Sequence, residues 1–171
     1  MTKAALLARE LVLRATEKGL TLGTAESLTA GMIASTIADG PGASRALLGG
    51  VVSYDPEVKR KLLRVPRAVI DGVGVVSEPC ARQMALGARE ALHADIAVSA
   101  TGVAGPAGGT PETPVGTVFL GLATAGGARV TLCRFRGGRQ NVRRRATEQA
   151  LALLLQAVEA ADGRKNKLQS K

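Results

Sequence analysis

Aromatic residues, histidine and cysteine are scarce in this chain of 171 residues, which has no tryptophan, one tyrosine, two phenylalanines, one histidine and two cysteines. The single histidine, His93, lies in a segment with an ordinary helical pattern, so a serine–histidine mechanism has little support. Cys80 and Cys133 do not form a CxxC pair, which argues against a zinc site and indicates thiols in a reducing compartment. If a serine acts as a nucleophile here, a lysine is the natural base.

Long apolar runs are also missing. No run reaches the roughly 18 residues that would indicate a membrane span, and Arg9 and Glu10 interrupt the apolar pattern of the N-terminus, unlike a signal peptide. Hydrophobic residues make up 46% of the chain and charged residues 22%, which is typical of one globular domain. We therefore expect a cytoplasmic protein that makes no membrane contact.

The net charge of +9 comes almost entirely from the part of the chain that begins at residue 129. A basic tail over residues 163–171 is expected to be disordered. A group of arginines precedes the tail: Arg134, Arg136, Arg139, Arg143, Arg144 and Arg145. The ordinary explanation is a solvated helix face, and the alternative is that one or two arginines bind an anion such as phosphate. Nucleic acid is a third possibility, which the shortage of aromatic side chains for base stacking weakens.

Helical and strand patterns alternate along residues 4–161. Asp55 followed by Pro56 is typical of a helix start, since aspartate caps and proline fits the first helical position. Short strands are predicted at 20–25, 49–54 and 96–101, a hairpin over 116–135, and a long helix over 141–161. The alternation predicts an α/β fold, with one three-layer domain over residues 1–162 and a mixed sheet between helices on both faces.

Three polar segments follow strands, where ligand sites of open α/β sheets gather. Residues 24–31 lead into a helix whose first N–H groups are suited to an anion. The second segment holds Ser44, Tyr54 and Lys59, and the third, residues 99–109, has glycines that allow close approach of a ligand. Each also has an ordinary explanation: a capped turn, a turn serine with a solvated lysine, and a flexible loop. The glycine segment is neither a Walker motif nor a dinucleotide fingerprint.

Seven ordered motifs resemble the CinA C-terminal domain family: AESLTAG, GPGAS, VSYDPEVK, VSEP, SATGVAGPAGG, PVGTV and GGRQNVRR. The resemblance as a whole covers about residues 5–160. The family includes nicotinamide-nucleotide amidases of the PncC type, which hydrolyse nicotinamide mononucleotide (NMN) to nicotinate mononucleotide and ammonia in pyridine-nucleotide salvage. Larger relatives add an N-terminal molybdopterin-binding-like domain, for which this chain has no room. The resemblance therefore implies a stand-alone amidase that takes NMN as its small-molecule substrate and needs neither metal nor cofactor.

The resemblance also assigns roles by position. It places the nucleophile at Ser44 and the base at Lys59, with Tyr54 orienting the lysine or relaying a proton. The candidate substrate-binding residues are Ser27, Thr29, Thr101, Gly102, Gly105, Gly108, Arg139 and Arg143. The family's usual ESCTGG reads ESLTAG here and its usual YSNxxK reads YDPEVK, yet neither departure removes Ser44, Tyr54 or Lys59. A rival interpretation makes Ser27 the nucleophile, although no lysine follows it at a comparable spacing.

The chemistry sets one requirement on the base. Lys59 must be neutral to accept a proton, so the protein must lower its pKa from about 10.4 by burial or by nearby positive charge. A non-catalytic alternative remains, in which the chain is an adaptor for a recombination protein and the basic C-terminal region is its contact surface. In either case we expect a homo-oligomer.

Overall fold

A five-stranded sheet runs through the middle of the computed structural model, which describes residues 1–163. The strands are β1 (Leu22–Glu26), β2 (Leu47–Val52), β3 (Ile96–Gly102), β4 (Thr117–Thr124) and β5 (Gly127–Arg134). Their order across the sheet is β2-β1-β3-β4-β5. Strand β1 pairs in parallel with both β2 and β3, whereas the β3–β4 and β4–β5 pairs are antiparallel. The prediction of a mixed sheet is therefore confirmed.

Helices cover both faces of this sheet in the described part of the chain. They are α1 (Lys3–Lys18), α2 (Met32–Ala38), α3 (Pro56–Leu63), α4 (Arg67–Asp71), α5 (Glu78–Leu92) and α6 (Arg139–Ala160). Helices α1, α2 and α6 lie on one face, where Leu11, Ile33 and Leu151 are buried in a shared core. Helices α3, α4 and α5 lie on the other face, over a smaller core that contains Leu63 and Met84. These two cores give the three layers that the sequence predicts.

Side-chain caps begin the helices where the sequence indicates them. The Asp55 carboxylate accepts a hydrogen bond from the amide of Glu57 at 2.7 Å, and Pro56 opens α3. The Ser77 hydroxyl oxygen accepts one from the amide of Cys80 at 3.3 Å at the start of α5. Each cap satisfies an amide that the first helical turn leaves unpaired. The short helix α4 and a 3₁₀ turn at Ala43–Arg45 have no such signal in the sequence.

The order of the strands decides which loops meet. Because β1, β2 and β3 are parallel, the segments that follow them lie at the same edge of the sheet. Ser27 follows β1, Ser53 follows β2 and the glycine loop follows β3. We call this edge the carboxyl edge. Ser44 precedes β2 and so lies at the opposite edge.

Two sequence-based expectations concern the ends of the chain and the membrane. The predicted basic tail lies outside the described residues, except for Gly163. None of the helices within residues 1–163 has the length and apolar character that crossing a bilayer requires.

The close approach of α3 and α5 gives a test of this packing. A Cβ atom at Gly87 would lie 2.1 Å from the carbonyl oxygen of Leu63. We expect Gly87→Ala to lower the free energy of unfolding by about 1–3 kcal/mol, because overpacking against backbone outweighs the roughly 1 kcal/mol by which alanine favours a helix. Urea denaturation measures the change. Gly126→Ala is the matched control, since its nearest neighbour lies 3.7 Å away, and a stability gain at Gly87 would contradict the packing.

Candidate functional site

Lys59 is the centre of the carboxyl edge. Its side chain is only 1% exposed and is the largest fully buried side chain of the described residues. Helix α3 positions it, because the Asp55 cap and Pro56 start the helix one turn earlier. The Nζ atom lies 3.0 Å from the Ser27 hydroxyl, 2.5 Å from the Ser53 carbonyl oxygen and 3.2 Å from the Tyr54 carbonyl oxygen.

These partners place the amine where it can exchange a proton with the Ser27 hydroxyl. The Nζ atom donates to the carbonyls of Ser53 and Tyr54 and to the hydroxyl oxygen of Ser27, and a deprotonated amine has a lone pair that accepts the Ser27 proton instead. Burial lowers the pKa of Lys59 from its ordinary value, while Cys80 and Asp55 oppose that shift. Burial also raises the pKa of the Cys80 thiol to about 11, so this neighbour is neutral at pH 7. The arrangement is that of a general base beside a serine hydroxyl.

The serine beside Lys59 is Ser27, which corrects the predicted Ser44–Lys59 pair. Ser44 is exposed in the 3₁₀ turn before β2, whereas Lys59 lies beyond the end of β2. A strand of six residues spans about 17–20 Å, so the two side chains lie at opposite ends of the sheet. Sequence spacing does not predict the Ser27–Lys59 pair, because the two residues belong to segments that follow different strands. The sequence does contain one signal for it, since Ser27 comes just after the predicted strand at 20–25 and Tyr54 stands at the end of the predicted strand at 49–54, close to Lys59.

The turn that carries Ser27 is fixed by a buried carboxylate. Glu26 is 0% exposed and accepts hydrogen bonds from the amides of Gly31, Ile33 and Ala34 at 2.8–3.0 Å. The Thr24 hydroxyl also donates to it at 3.1 Å. The Glu26 carboxylate therefore occupies the N-terminal end of α2. The predicted anion site at this helix start is corrected, since a residue of the chain already takes its N–H groups.

Two amides next to Ser27 remain available to a ligand. Within residues 1–163, the N–H groups of Leu28 and Thr29 donate to no protein atom. Arg143 holds their carbonyl groups from the other side, with Nε 2.9 Å from the Leu28 oxygen and Nη2 3.2 Å from the Thr29 oxygen. A peptide turn whose carbonyls are held on one side by an arginine and whose N–H groups adjoin a serine is suited to an oxyanion.

Arg139 joins the second and third segments of the site. Its Nη1 donates to the Gly105 carbonyl at 3.0 Å and its Nη2 to the Tyr54 hydroxyl at 2.9 Å. Tyr54 is 57% exposed, and it contacts the Lys59 amine through its carbonyl and not through its hydroxyl. Of the two predicted roles of Tyr54, the contact with the amine fits the orienting role, which the carbonyl performs, and the hydroxyl is engaged with Arg139. Both predicted arginines contact the site through oxygens of the chain itself.

The glycine loop after β3 has two parts. Thr101 is 1% exposed and donates its hydroxyl to the Val75 carbonyl at 2.7 Å, so its role here is structural. Gly102 allows close packing, because a Cβ atom there would lie 2.5 Å from the Thr117 carbonyl oxygen. Neither residue is turned toward a ligand as predicted.

The later part of the loop is better suited to an anion. Gly105 and Gly108 have φ angles of +81° and +91°, which other residues rarely adopt. In the described part of the chain, the amides of Ala104, Gly105 and Gly108 have no hydrogen-bond acceptor. Successive unpaired backbone N–H groups in such turns form concave sites for anions.

Two buried hydroxyl groups at this edge also stand out. The Oγ1 atom of Thr29 and the Oγ atom of Ser53 form no hydrogen bond with any atom of residues 1–163. Buried hydroxyl groups ordinarily have a partner. Their position in the segments that carry Ser27 and Lys59 supports a polar ligand at this site. No three acidic, histidine or cysteine side chains of the described residues gather into a group that could hold a metal ion.

A cavity of about 650 Å³ lies elsewhere, between the β4–β5 turn and the end of α6. It includes Arg89, Asp95 and Arg129, but no serine, cysteine, histidine or lysine lines it. Because it lies where β1 and β3 begin, it is separate from the carboxyl edge. The contact between Lys59 and Ser27 lies outside this cavity.

Comparisons with known proteins agree with one another. The family model described as "CinA C-terminal domain" matches residues 4–158. A CinA-like protein from Citrifermentans bemidjiense is 51% identical over 133 residues, which cover 78% of this chain and 32% of that protein. A CinA-like protein from Mycolicibacterium vanbaalenii is 48% identical over 141 residues, which cover 82% of this chain and 33% of that protein. The chain thus spans about a third of the length of these curated relatives.

Solved structures match over nearly their whole length. The competence/damage inducible protein CihA from Agrobacterium tumefaciens has a TM-score of 0.89 and 35% identity, covering 93% of this chain and 97% of its own. A competence-damaged protein (CinA) superfamily protein from Escherichia coli has a TM-score of 0.86 and 34% identity, with 90% of both chains covered. The described fold is therefore that of these proteins.

The buried amine predicts how stability depends on pH. The pKa of Lys59 is lower in the folded chain than its ordinary value of 10.5, so the unfolded chain binds more protons, and stability gains from rising pH between the two values. We expect the unfolding free energy of the parent to rise relative to Lys59→Met as the pH approaches 10.5. Chemical denaturation at several pH values measures it. The exposed Lys61→Met is the control, and a constant difference between parent and Lys59→Met would contradict the prediction.

Proposed function

The chain belongs to the CinA C-terminal domain family, and from that premise we propose that it is an amidase that converts NMN to nicotinate mononucleotide and ammonia. The observation that carries this proposal is the contact of 3.0 Å between the buried amine of Lys59 and the hydroxyl of Ser27. A serine paired with a neutral lysine is a known device for attacking an amide. The proposal keeps the substrate that the resemblance implies and moves the nucleophile from Ser44 to Ser27.

In the first half of the proposed reaction, the Oγ atom of Ser27 attacks the carboxamide carbon while Lys59 takes the hydroxyl proton. The amides of Leu28 and Thr29 donate to the oxyanion, a contribution worth about 2.7–4 kcal/mol for each well-placed donor. The carbon–nitrogen bond then breaks, and the nitrogen leaves as ammonia with the proton from Lys59. The positively charged pyridine ring of the substrate draws electrons from the carbonyl and assists the attack.

In the second half, water hydrolyses the ester between the nicotinoyl group and Ser27. Lys59, neutral again, takes a proton from the water as its oxygen adds to the acyl carbon. The tetrahedral intermediate collapses, the bond to Ser27 breaks, and the Ser27 oxygen regains the proton from Lys59. Lys59 thus acts as base and then as acid in each half, as microscopic reversibility expects.

The phosphate of the substrate fits the glycine loop best. The loop offers unpaired amides at Ala104, Gly105 and Gly108, and Arg139 holds its Gly105 carbonyl at 3.0 Å. Arg139 also fixes Tyr54 at the mouth of the site. In this proposal Arg139 shapes the phosphate site, whereas Arg143 shapes the oxyanion turn.

The adaptor alternative receives less support from the same arginines. Arg139 and Arg143 donate to oxygens of the chain itself. Arg144 pairs with Glu148 at 2.6 Å, and Arg145 lies over the ring of Phe135. The predicted basic surface is therefore partly engaged within the chain. Truncation after Asp162 separates the two functions, because an amidase retains turnover, while an adaptor that uses the tail loses binding to its partner.

The proposed pair is tested by ammonia release from NMN. We expect Ser27→Ala and Lys59→Ala each to lower kcat by about three orders of magnitude or more, since each removes half of a catalytic unit. Ser44→Ala is the matched serine control and should leave kcat unchanged, because Ser44 lies at the other end of β2. Circular dichroism confirms that each variant is folded. Loss of activity only in Ser44→Ala would contradict the assignment of Ser27, and a parent without activity would contradict the amidase itself.

Substitution of Arg139 and of Arg143 should affect different steady-state constants. Arg139→Ala should raise KM for NMN more than it lowers kcat, because the glycine loop loses its support. Arg143→Ala should lower kcat by up to about 100-fold with little change in KM, because small displacements of an oxyanion donor are costly. Arg144→Ala, on the same helix and paired with Glu148, is the control. Identical effects of Arg139→Ala and Arg143→Ala on both constants would contradict the separate roles.

A further inference from the structure

The proposed reaction leaves one hydroxyl group beside the pair unused, that of Ser53. Ser53 is 0% exposed, and its Oγ atom has no hydrogen-bond partner within residues 1–163. The main chain of this residue is engaged on both sides, because its amide donates to the Glu26 carbonyl at 2.8 Å and its carbonyl accepts from Lys59 Nζ at 2.5 Å. Leaving a buried hydroxyl group unpaired costs stability. Such a group in a native fold calls for an explanation.

The register of the sheet places the Ser53 side chain beside that of Ser27. Val52 pairs with Glu26 at the end of β2, and the Ser53 amide continues this ladder by donating to the Glu26 carbonyl at 2.8 Å. Ser53 and Ser27 are therefore the next cross-strand pair. Such neighbours point to the same face of the sheet, on strands about 4.8 Å apart. That face is the one under α3 and α5, because Val51, two residues before Ser53, packs against their core.

The Lys59 amine has no N–H group to spare for the leaving nitrogen. Its three contacts, at 2.5–3.2 Å, are the carbonyls of Ser53 and Tyr54 and the hydroxyl of Ser27. An ammonium has three donors, so one donor faces each partner. Once Ser27 has attacked the amide carbon, the third donor faces the oxygen bonded to that carbon and not the nitrogen. A second hydroxyl group beside Ser27 can connect the two, because a hydroxyl both accepts and donates.

We propose that, within the amidase reaction on which this inference rests, the Ser53 hydroxyl carries the proton from Lys59 to the leaving nitrogen. As the carbon–nitrogen bond breaks, its electron pair stays on the nitrogen, which takes the Ser53 hydroxyl proton. The Ser53 oxygen takes a proton from the Lys59 ammonium in the same step. The products are ammonia and the Ser27 ester, while Ser53 is again a hydroxyl and Lys59 is neutral.

A change of leaving group tests this relay. Ser53→Ala should slow ammonia release from NMN by about 100- to 10,000-fold, the usual range for a general acid. It should leave the first turnover of the 4-nitrophenyl ester of nicotinate mononucleotide nearly unchanged, because 4-nitrophenolate departs without a proton. Stopped-flow absorbance follows the nitrophenolate. Equal slowing of both substrates would overturn the relay, as would ammonia release from NMN at the parental rate.

Ser99→Ala is the matched control. Ser99 is also 0% exposed and its side chain also points to α5, but its hydroxyl has partners in the chain. It donates to the Ala81 carbonyl at 2.6 Å and accepts from the Gly121 amide at 3.2 Å. Any loss of activity in Ser99→Ala acts through the structure of the sheet. It should therefore leave the ratio of the two rates, amide to ester, as it is in the parent.

Thermal unfolding separates this inference from the amidase proposal. Ser53→Ala removes a buried hydroxyl without a partner and should raise the melting temperature by roughly 2–4 °C. Ser99→Ala should lower it, because the Gly121 amide loses its acceptor. A Ser53→Ala variant that melts below the parent would assign the hydroxyl a structural role and overturn the relay, whether or not the parent hydrolyses NMN. A parent that releases no ammonia would instead overturn the amidase proposal, and the relay with it.

Discussion

The site depends on one costly interaction, the burial of the Lys59 amine. Burial disfavours the charged ammonium, because its three partners are two carbonyls and a hydroxyl, with no carboxylate in contact. The pKa of Lys59 is lowered for that reason, and a lower pKa makes the amine available as a base. The same desolvation that limits stability near neutral pH thus prepares the chemistry. Glu26 has a different arrangement, since this buried carboxylate accepts three amide hydrogen bonds at the N-terminal end of α2.

The central position of β1 brings these groups together. Strand β1 lies between β2 and β3, so the turn with Ser27 is flanked by the segment with Lys59 and by the glycine loop. No single segment contains a complete site. Each supplies one element, and the parallel register aligns them at one edge. The β4–β5 hairpin completes the sheet without contributing a residue to the pair.

Much of the fold is predictable from the sequence because local signals agree with the tertiary structure. Asp55, Pro56 and Ser77 determine where helices begin, and alternating apolar patterns locate the strands. The proposed catalytic pair is different, since Ser27 and Lys59 are 32 residues apart and meet only through strand order. The occupation of the N-terminal end of α2 by Glu26 is equally unpredictable, because no sequence pattern indicates that its carboxylate accepts hydrogen bonds from the amides of α2. Family resemblance supplied the lysine and not its partner.

Helix α6 has a consequence for how the site tolerates change. Arg139 and Arg143 lie four residues apart on it and reach the glycine loop and the Ser27 turn, respectively. Their relative direction is therefore set by helical phase. One inserted residue between them would rotate one guanidinium by about 100° around the helix axis and break one of the two connections. The number of residues between Arg139 and Arg143 is therefore more tightly constrained than the identity of those residues. Through these two arginines, α6 sets the relative positions of two loops that are far apart in the sequence.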